Sequence, residues 1–229
     1  MADEKKIVVV AGATGRLGRL IVKELLNRGY QVRAVIVKPF DPPEPPGLKQ
    51  EGVKLAEGDL TSVESLEKVM EGAHFAISAI GSKKPFSKKE NEKIDNMGNQ
   101  NLARAAKAKG LERIVVISST GVGNSRDVVS FMYRVPMGMI LKAKGKAEDF
   151  IRSCGTDYTI IRPGGYTDKE VSGEIAFGEG GKFSGRVKRE QIARVCVDAI
   201  ANPAMKNRTF EVVDASTVAE ERRPFIIKI

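Results

Sequence analysis

Seven residues near the amino terminus, Gly12-Ala13-Thr14-Gly15-Arg16-Leu17-Gly18, restrict the fold more than any other stretch of the chain. They follow directly on the β-branched apolar run 6–11, and the helical-period residues Leu17, Leu20, Ile21 and Leu25 begin inside them. Passing from strand to helix so abruptly needs a residue without Cβ at the turn, another where backbone amides meet a phosphate, and a third where helix packs on strand. Gly12, Gly15 and Gly18 fill those places, with Thr14, Arg16 and Leu17 completing the loop. Free amides at the helix start present partial positive charge to a diphosphate, and Arg16 adds a full one. The spacing therefore predicts a phosphate-binding turn for a dinucleotide.

Past the loop, β-branched runs alternate with segments of helical period. Strands are expected at 6–11, 31–37, 53–57, 74–80, 113–118, 158–162 and 209–213, and helices at 17–27, 62–70, 96–109, 139–153 and 189–201. The fold class this predicts is α/β, a doubly wound Rossmann-type parallel sheet of about seven strands with helices on both faces. Gly29, Gly72 and Gly110 fall where left-handed helix ends are wanted, and Thr61-x-x-Glu64 reads as a capping box. The 229 residues show no linker, so one domain over 1–229 is expected, with a small substrate or partner region over about 164–229.

Three segments stand outside the alternation: 39–47 with five prolines, 82–92, and 121–138. All follow strands, so they are placed at the carboxyl edge of the sheet, where open parallel sheets bind ligands. The net charge of +9 is dispersed along the chain. Its densest stretch, Lys83-Lys84 to Lys88-Lys89, holds Phe86 and is broken by Pro85, which reads as a solvated loop rather than a nucleic-acid surface. Cys154 and Cys196 lie in apolar periodic segments without metal-ligand spacing, so inert reduced thiols and no metal are expected. Neither a signal-peptide core nor a membrane span is present in the pattern, and the expectation is a cytoplasmic monomer or homodimer.

The glycine loop, Gly58-Asp59-Leu60, the segment 94–110, Ile117-Ser118-Ser119-Thr120, Lys144-Gly145-Lys146-Ala147-Glu148 and Tyr158-Thr159-Ile160-Ile161-Arg162-Pro163-Gly164-Gly165 together resemble a known pattern. It is that of the extended and atypical short-chain dehydrogenase/reductase superfamily, in its NAD(P)H-binding, NmrA-like and flavin reductase-like group. The resemblance covers nearly the whole chain. It implies that Asp59 and Leu60 line the adenine, that Ala79, Ile80 and Gly81 pass under the ribose, and that Pro163, Gly164 and Gly165 frame the nicotinamide. Lys144 resembles the lysine of the Tyr-x-x-x-Lys motif. The second strand ends at Lys38 with no acid before Asp41, and Arg33 and Arg16 add positive charge if they face the same way. The cofactor expected is NADP(H), with NAD(H) the lesser alternative.

The position four before Lys144 is Ile140, so the acid of that motif is missing, and Tyr133 is followed four residues later by Met137. Ser119 and Thr120 remain as hydroxyls that could hydrogen-bond a substrate oxygen, with strand-end capping as the other reading. His74 belongs at the opposite edge of the sheet and reads as structural. Without a dedicated acid, a small or planar acceptor such as a flavin or quinone is favoured over a simple carbonyl. The apolar cluster 131–141 reads as a platform for such an acceptor, as core, or as a dimer surface. Two other functions stay open: a non-catalytic NADP(H)-dependent sensor or assembly protein, and, with less support, a nucleotide-sugar epimerase.

Overall fold

The computed structural model describes residues 5–37 and 48–229. Lys38, Asp41 and the proline-rich segment lie outside the described residues. The first half of the chain supplies β1 (Ile7–Ala11), α1 (Arg16–Asn27), β2 (Gln31–Ile36), β3 (Val53–Glu57), α2 (Val63–Met70), β4 (Phe75–Ser78), α3 (Lys88–Asn91), a π-helical turn (Glu92–Gly98) and α4 (Asn99–Ala108). The second half supplies β5 (Arg113–Ile117), α5 (Phe131–Ser153), β6 (Tyr158–Pro163), β7 (Gly165–Tyr166), β8 (Ile175–Gly178), β9 (Arg186–Val187), α6 (Arg189–Ala201) and β10 (Arg208–Asp214).

The central sheet has the order β3-β2-β1-β4-β5-β6-β10-β8. It is parallel except for β8, which runs antiparallel to β10 with Glu211 opposite Gly178. Along β1, Val8 and Val10 face a core shared with Ile21 and Leu25 of α1 and Ile192 and Cys196 of α6. Val9 and Ala11 face the other, shared with Leu66 of α2, Leu102 of α4 and Ile151 of α5. Strands covered by helices on both faces are apolar at successive positions, which is why β1 reads as an unbroken hydrophobic run.

Five sequence expectations are corrected. The sheet has eight strands rather than about seven, because Ile175–Gly178 joins it as an edge strand. Helix α5 starts at Phe131, eight residues before the expected start, with the Ser130 hydroxyl capping the Tyr133 amide at 3.3 Å and Pro136 tolerated inside the helix. The helix expected from residue 96 is continuous back to Lys88, through the π turn, and is capped by Ser87. Helix α2 is capped by Ser62 rather than Thr61, whose hydroxyl is taken up by Asp59 at 2.8 Å. Arg33 does not face the ligand edge: its guanidinium donates to the Val69 and Glu71 carbonyls at the end of α2.

His74 sits at the amino edge as expected, where its Nδ1 accepts from the Ile7 amide at 3.2 Å. Gly29, Gly72 and Gly110 take φ of 81°, 66° and 65°. Cys196 is fully buried, and burial pushes its thiol pKa well up, so it stays protonated.

Candidate functional site

The loop between β1 and α1 lies where the sheet order reverses, between β1 and β4, the place at which open α/β sheets hold ligands. Gly12 has φ 83°, and a Cβ there would stand 2.6 Å from the Ala79 carbonyl oxygen. Gly18 lies under the turn, where a Cβ would fall 2.1 Å from the Gly12 carbonyl oxygen. Both glycines are thus required by backbone against backbone. Gly15 is the N-cap of α1; no side chain caps this end and no acid lies in its first turn. The amides at the start of α1 are left for an anion.

A cleft of about 480 Å³ opens from this loop. Gly12, Thr14 and Gly15 form its floor; Val37 at the end of β2, Leu60, and Ala79, Ile80 and Gly81 after β4 form its walls. Lys83 and Lys84 stand on its rim with Glu90. The glycine cradle, the uncapped helix start, the apolar slot beside Leu60 and Ile80 and the lysine rim together fit the diphosphate, base and charge of a dinucleotide.

The other sequence candidates fall less directly on the cleft. Leu17 and Gly18 pack beneath it, contributing backbone rather than side chains. The Asp59 carboxylate is occupied by the amide and hydroxyl of Thr61, both at 2.8 Å, which holds its pKa below the usual range. Arg16 is exposed and reaches Asp168 at 3.7 Å, as does Arg189 from the start of α6.

A second group sits further along the same edge, after β5 and β6. Ser119 Oγ lies 3.4 Å from the Tyr133 hydroxyl. Lys144 Nζ lies 3.3 Å from the Ile117 carbonyl and 3.2 Å from Asp95 Oδ1, a carboxylate only 1% exposed. Asp95 is carried by the π turn, and its other oxygen accepts the Ser82 amide at 3.1 Å. Ile140, four residues before Lys144 on α5, is buried. Thr120 is buried with its hydroxyl donated to the Pro163 carbonyl at 2.8 Å, so it braces β5 against β6. Gly164 passes so close to Gly185 that a Cβ would lie 2.3 Å from that carbonyl oxygen, and the Gly165 amide donates to the same oxygen at 2.9 Å. Packing alone thus accounts for glycine at position 164.

Beneath this group runs a buried ion network. Arg162 donates from Nε and Nη2 to Glu148 at 3.0 and 2.6 Å and from Nη1 to Glu211 at 3.2 Å and Asn124 at 2.5 Å. Ser118 donates to the same Glu148 at 2.5 Å. These bonds fix the end of β5, from which Ser119 projects.

Such a cradle at the switch point of a doubly wound sheet defines a Rossmann-type dinucleotide-binding protein. A family model described as NAD(P)H-binding matches residues 12–203, and the chain belongs to that family, among the atypical short-chain dehydrogenases/reductases. It is 30% identical over 219 residues to an uncharacterized chloroplastic protein of Arabidopsis thaliana, covering 93% of this chain and 78% of that one. It is 27% identical over 256 residues to sanguinarine reductase of Eschscholzia californica, covering 93% and 91%. In fold it matches ChuY, an anaerobilin reductase of Escherichia coli O157:H7, with a TM-score of 0.77 at 21% identity over 92% of this chain and 98% of that one. The family is reductase-like.

Three features of the site are not legible in the sequence. Asp95 is invisible as a partner of Lys144 because only the π turn brings it there. The approach of Tyr133 to Ser119 depends on the early start of α5. Lys83 and Lys84 carry a signal, their density of charge, that reads as a plain solvated loop.

Proposed function

We propose that the chain is an NADP(H)-dependent oxidoreductase that reduces a small or planar acceptor, a flavin, quinone or carbonyl, by hydride transfer. The observation that carries this reading is the uncapped start of α1 beneath the glycine cradle, continuous along one sheet edge with Ser119 and Lys144. The α1 amides with Thr14, Gly15 and Arg16 hold the diphosphate; Leu60 and Ile80 enclose the adenine; Gly81 and Pro163 to Gly165 border the path to the nicotinamide. Lys83 and Lys84 on the rim, with Lys38 beyond the described residues, favour the 2′-phosphate of NADP over the plain ribose of NAD. The dihydronicotinamide supplies the hydride when bound. Lys144, held by Asp95 and Ile117, orients the ribose beside it, and Ser119 donates a hydrogen bond to the acceptor. The region from about residue 164 onward is assigned to the acceptor or a partner, and the compartment is aqueous, cytoplasm or the stroma of a plastid.

The test is titration with NADPH and NADH followed by nicotinamide fluorescence, then addition of flavin, quinone and aldehyde acceptors while NADPH absorbance is followed. Preferential NADPH binding with acceptor-dependent oxidation is expected, with loss of turnover in Lys144→Ala. Failure to bind either nucleotide overturns the reading. Buried Ile140 in place of the usual tyrosine favours a second reading, a non-catalytic NADP(H)-dependent sensor or assembly protein, and tight binding without turnover of any acceptor selects it.

A further inference from the structure

Helix α5 has two faces that do different things. Tyr133, Ile140 and Lys144 follow one another at helical spacing along the side turned toward the site. On the other side Phe131, Val135, Met139 and Lys142 form a second stripe, with Met132 beside it. Phe131 is 70% exposed, Met132 83%, Val135 63% and Met139 39%, and Lys142 is exposed too. Burying such side chains is the rule, and a cluster of them standing free is a surface awaiting a partner.

This stripe is not alone. Lys144 meets Asp95 at 3.2 Å, Lys146 meets Glu92 at 3.0 Å, and the Arg104 guanidinium lies 4.2 Å from the Phe150 ring centre. Helix α5 therefore runs parallel to the α3–α4 helix, and its first turns lie toward the segment that precedes α3. That segment carries Phe86, 71% exposed, flanked by exposed Lys83 and Lys84 on one side and Lys88 and Lys89 on the other. Five protruding apolar side chains and five exposed lysines thus stand on the outer surface where these two helices begin, and of them Lys83 and Lys84 also line the cleft.

We infer that this rim docks on an anionic lipid surface. The stripe projects outward from one helix, which suits insertion among headgroups better than the grip of a folded partner. Lysines interleaved with them attract anionic lipid and keep their charge at headgroup level while their stems lie against the acyl boundary. A second copy meeting this rim across a two-fold axis sets lysines against lysines, so self-association is opposed by the same charges. The contact is peripheral, since no helix among the described residues is long and apolar enough to cross a membrane. It does not depend on the reductase reading.

The test is sedimentation of the full chain with vesicles of phosphatidylcholine alone or of phosphatidylcholine mixed with phosphatidylglycerol. Binding is expected only to the mixed vesicles, weakening several-fold as salt screens the lysines, by roughly the Debye-length argument. The pair Phe86→Glu and Met132→Glu, and separately Lys88→Glu and Lys89→Glu, each lower the bound-to-free ratio by about tenfold. The charge-matched pair Lys23→Glu and Lys54→Glu, at exposed positions away from the rim, leaves it within about twofold. Unchanged melting temperatures show that every variant is folded. Absence of binding to the mixed vesicles overturns the inference, as does an equal loss in the charge-matched pair. A dimer that dissociates in the Phe86→Glu, Met132→Glu variant assigns the rim to a second copy instead. Retention on polyglutamate that needs Lys88 and Lys89, without vesicle binding, assigns it to an acidic protein.

Discussion

Glu148 and Glu211 both press on the Arg162 guanidinium from buried positions, yet their charges are held to different degrees. Burial opposes ionisation at Glu148, but two hydrogen bonds from Arg162, its charge, and bonds from Ser118 and Arg152 outweigh burial and lower the pKa. At Glu211 burial prevails over a single 3.2 Å contact with Arg162 and the Gly181 amide, and the pKa rises. Removing the better-held charge leaves Arg162 buried with its strongest partner gone. Glu148→Gln is therefore expected to destabilise by about 3 kcal/mol in urea unfolding, and Glu211→Gln by less than about 1 kcal/mol. The reverse order would show that Glu211 is the true counter-ion. At this scale the sequence was most legible where backbone demands a residue type, at Gly12 and Gly18. It was least so where side chains meet across elements, as Asp95 and Lys144 do.

Helix α1 tests how far the glycine loop is a matter of packing and how far of binding. Gly18→Ala places a methyl against the Gly12 carbonyl, so helix and turn must separate. The expected outcome is a loss of about 1–3 kcal/mol of stability together with at least about tenfold weaker NADPH binding by fluorescence titration. Gly29→Ala meets no atom within 4 Å but keeps φ 81°, so it is expected to destabilise by about 1 kcal/mol while leaving affinity intact. The elements flanking this loop were legible because apolar period and punctuation agree there. Elements whose start depends on a cap beside a misleading neighbour were not. Pro136 reads as a breaker although Ser130 starts α5 ahead of it. The lysine pairs around Phe86 mask the Ser87 cap. Strand β8 is short and ends in glycine, and only its pairing with β10 makes it a strand.

For the molecule as a whole, acid stability follows from which carboxylates are best held. Asp214, buried at the end of β10, accepts from Ser172, Ser216 and Gln191. These bonds overcome burial and hold its pKa far below the usual carboxylate range. Asp214 and Glu148 are both depressed in the folded state, so each stabilises fully above the unfolded values near 4 and loses that contribution as pH falls through its folded value. Glu211, being raised, acts with the opposite sign and offsets a part. Urea unfolding is expected to give a level free energy between about pH 5 and 8 and a decline below about pH 4. Asp214→Asn should lower the plateau and flatten the decline; an unchanged acid limb would place the sensitivity elsewhere. Fold class and the edge of the sheet that carries the glycine loop were implied by the alternation of segments, whereas the strand order and the polar network under the sheet are products of the assembled tertiary structure.

The π turn between α3 and α4 has a consequence for what the chain can lose or gain in length. One residue of an α-helix corresponds to about 100° of rotation. A π turn holds one residue more than the α turn it replaces, so the flanking halves keep their phase and the extra residue is absorbed within Glu92–Gly98. Deleting one residue there would close the turn into ordinary α-helix with Leu102 and Ala106 still in the core, but would re-aim the residues inside the turn, Asp95 among them, relative to Lys144. The widened turn thus sets the aim of one side chain without shifting the ends of the helix, and a single-residue deletion there should break the Asp95–Lys144 pair while sparing the fold.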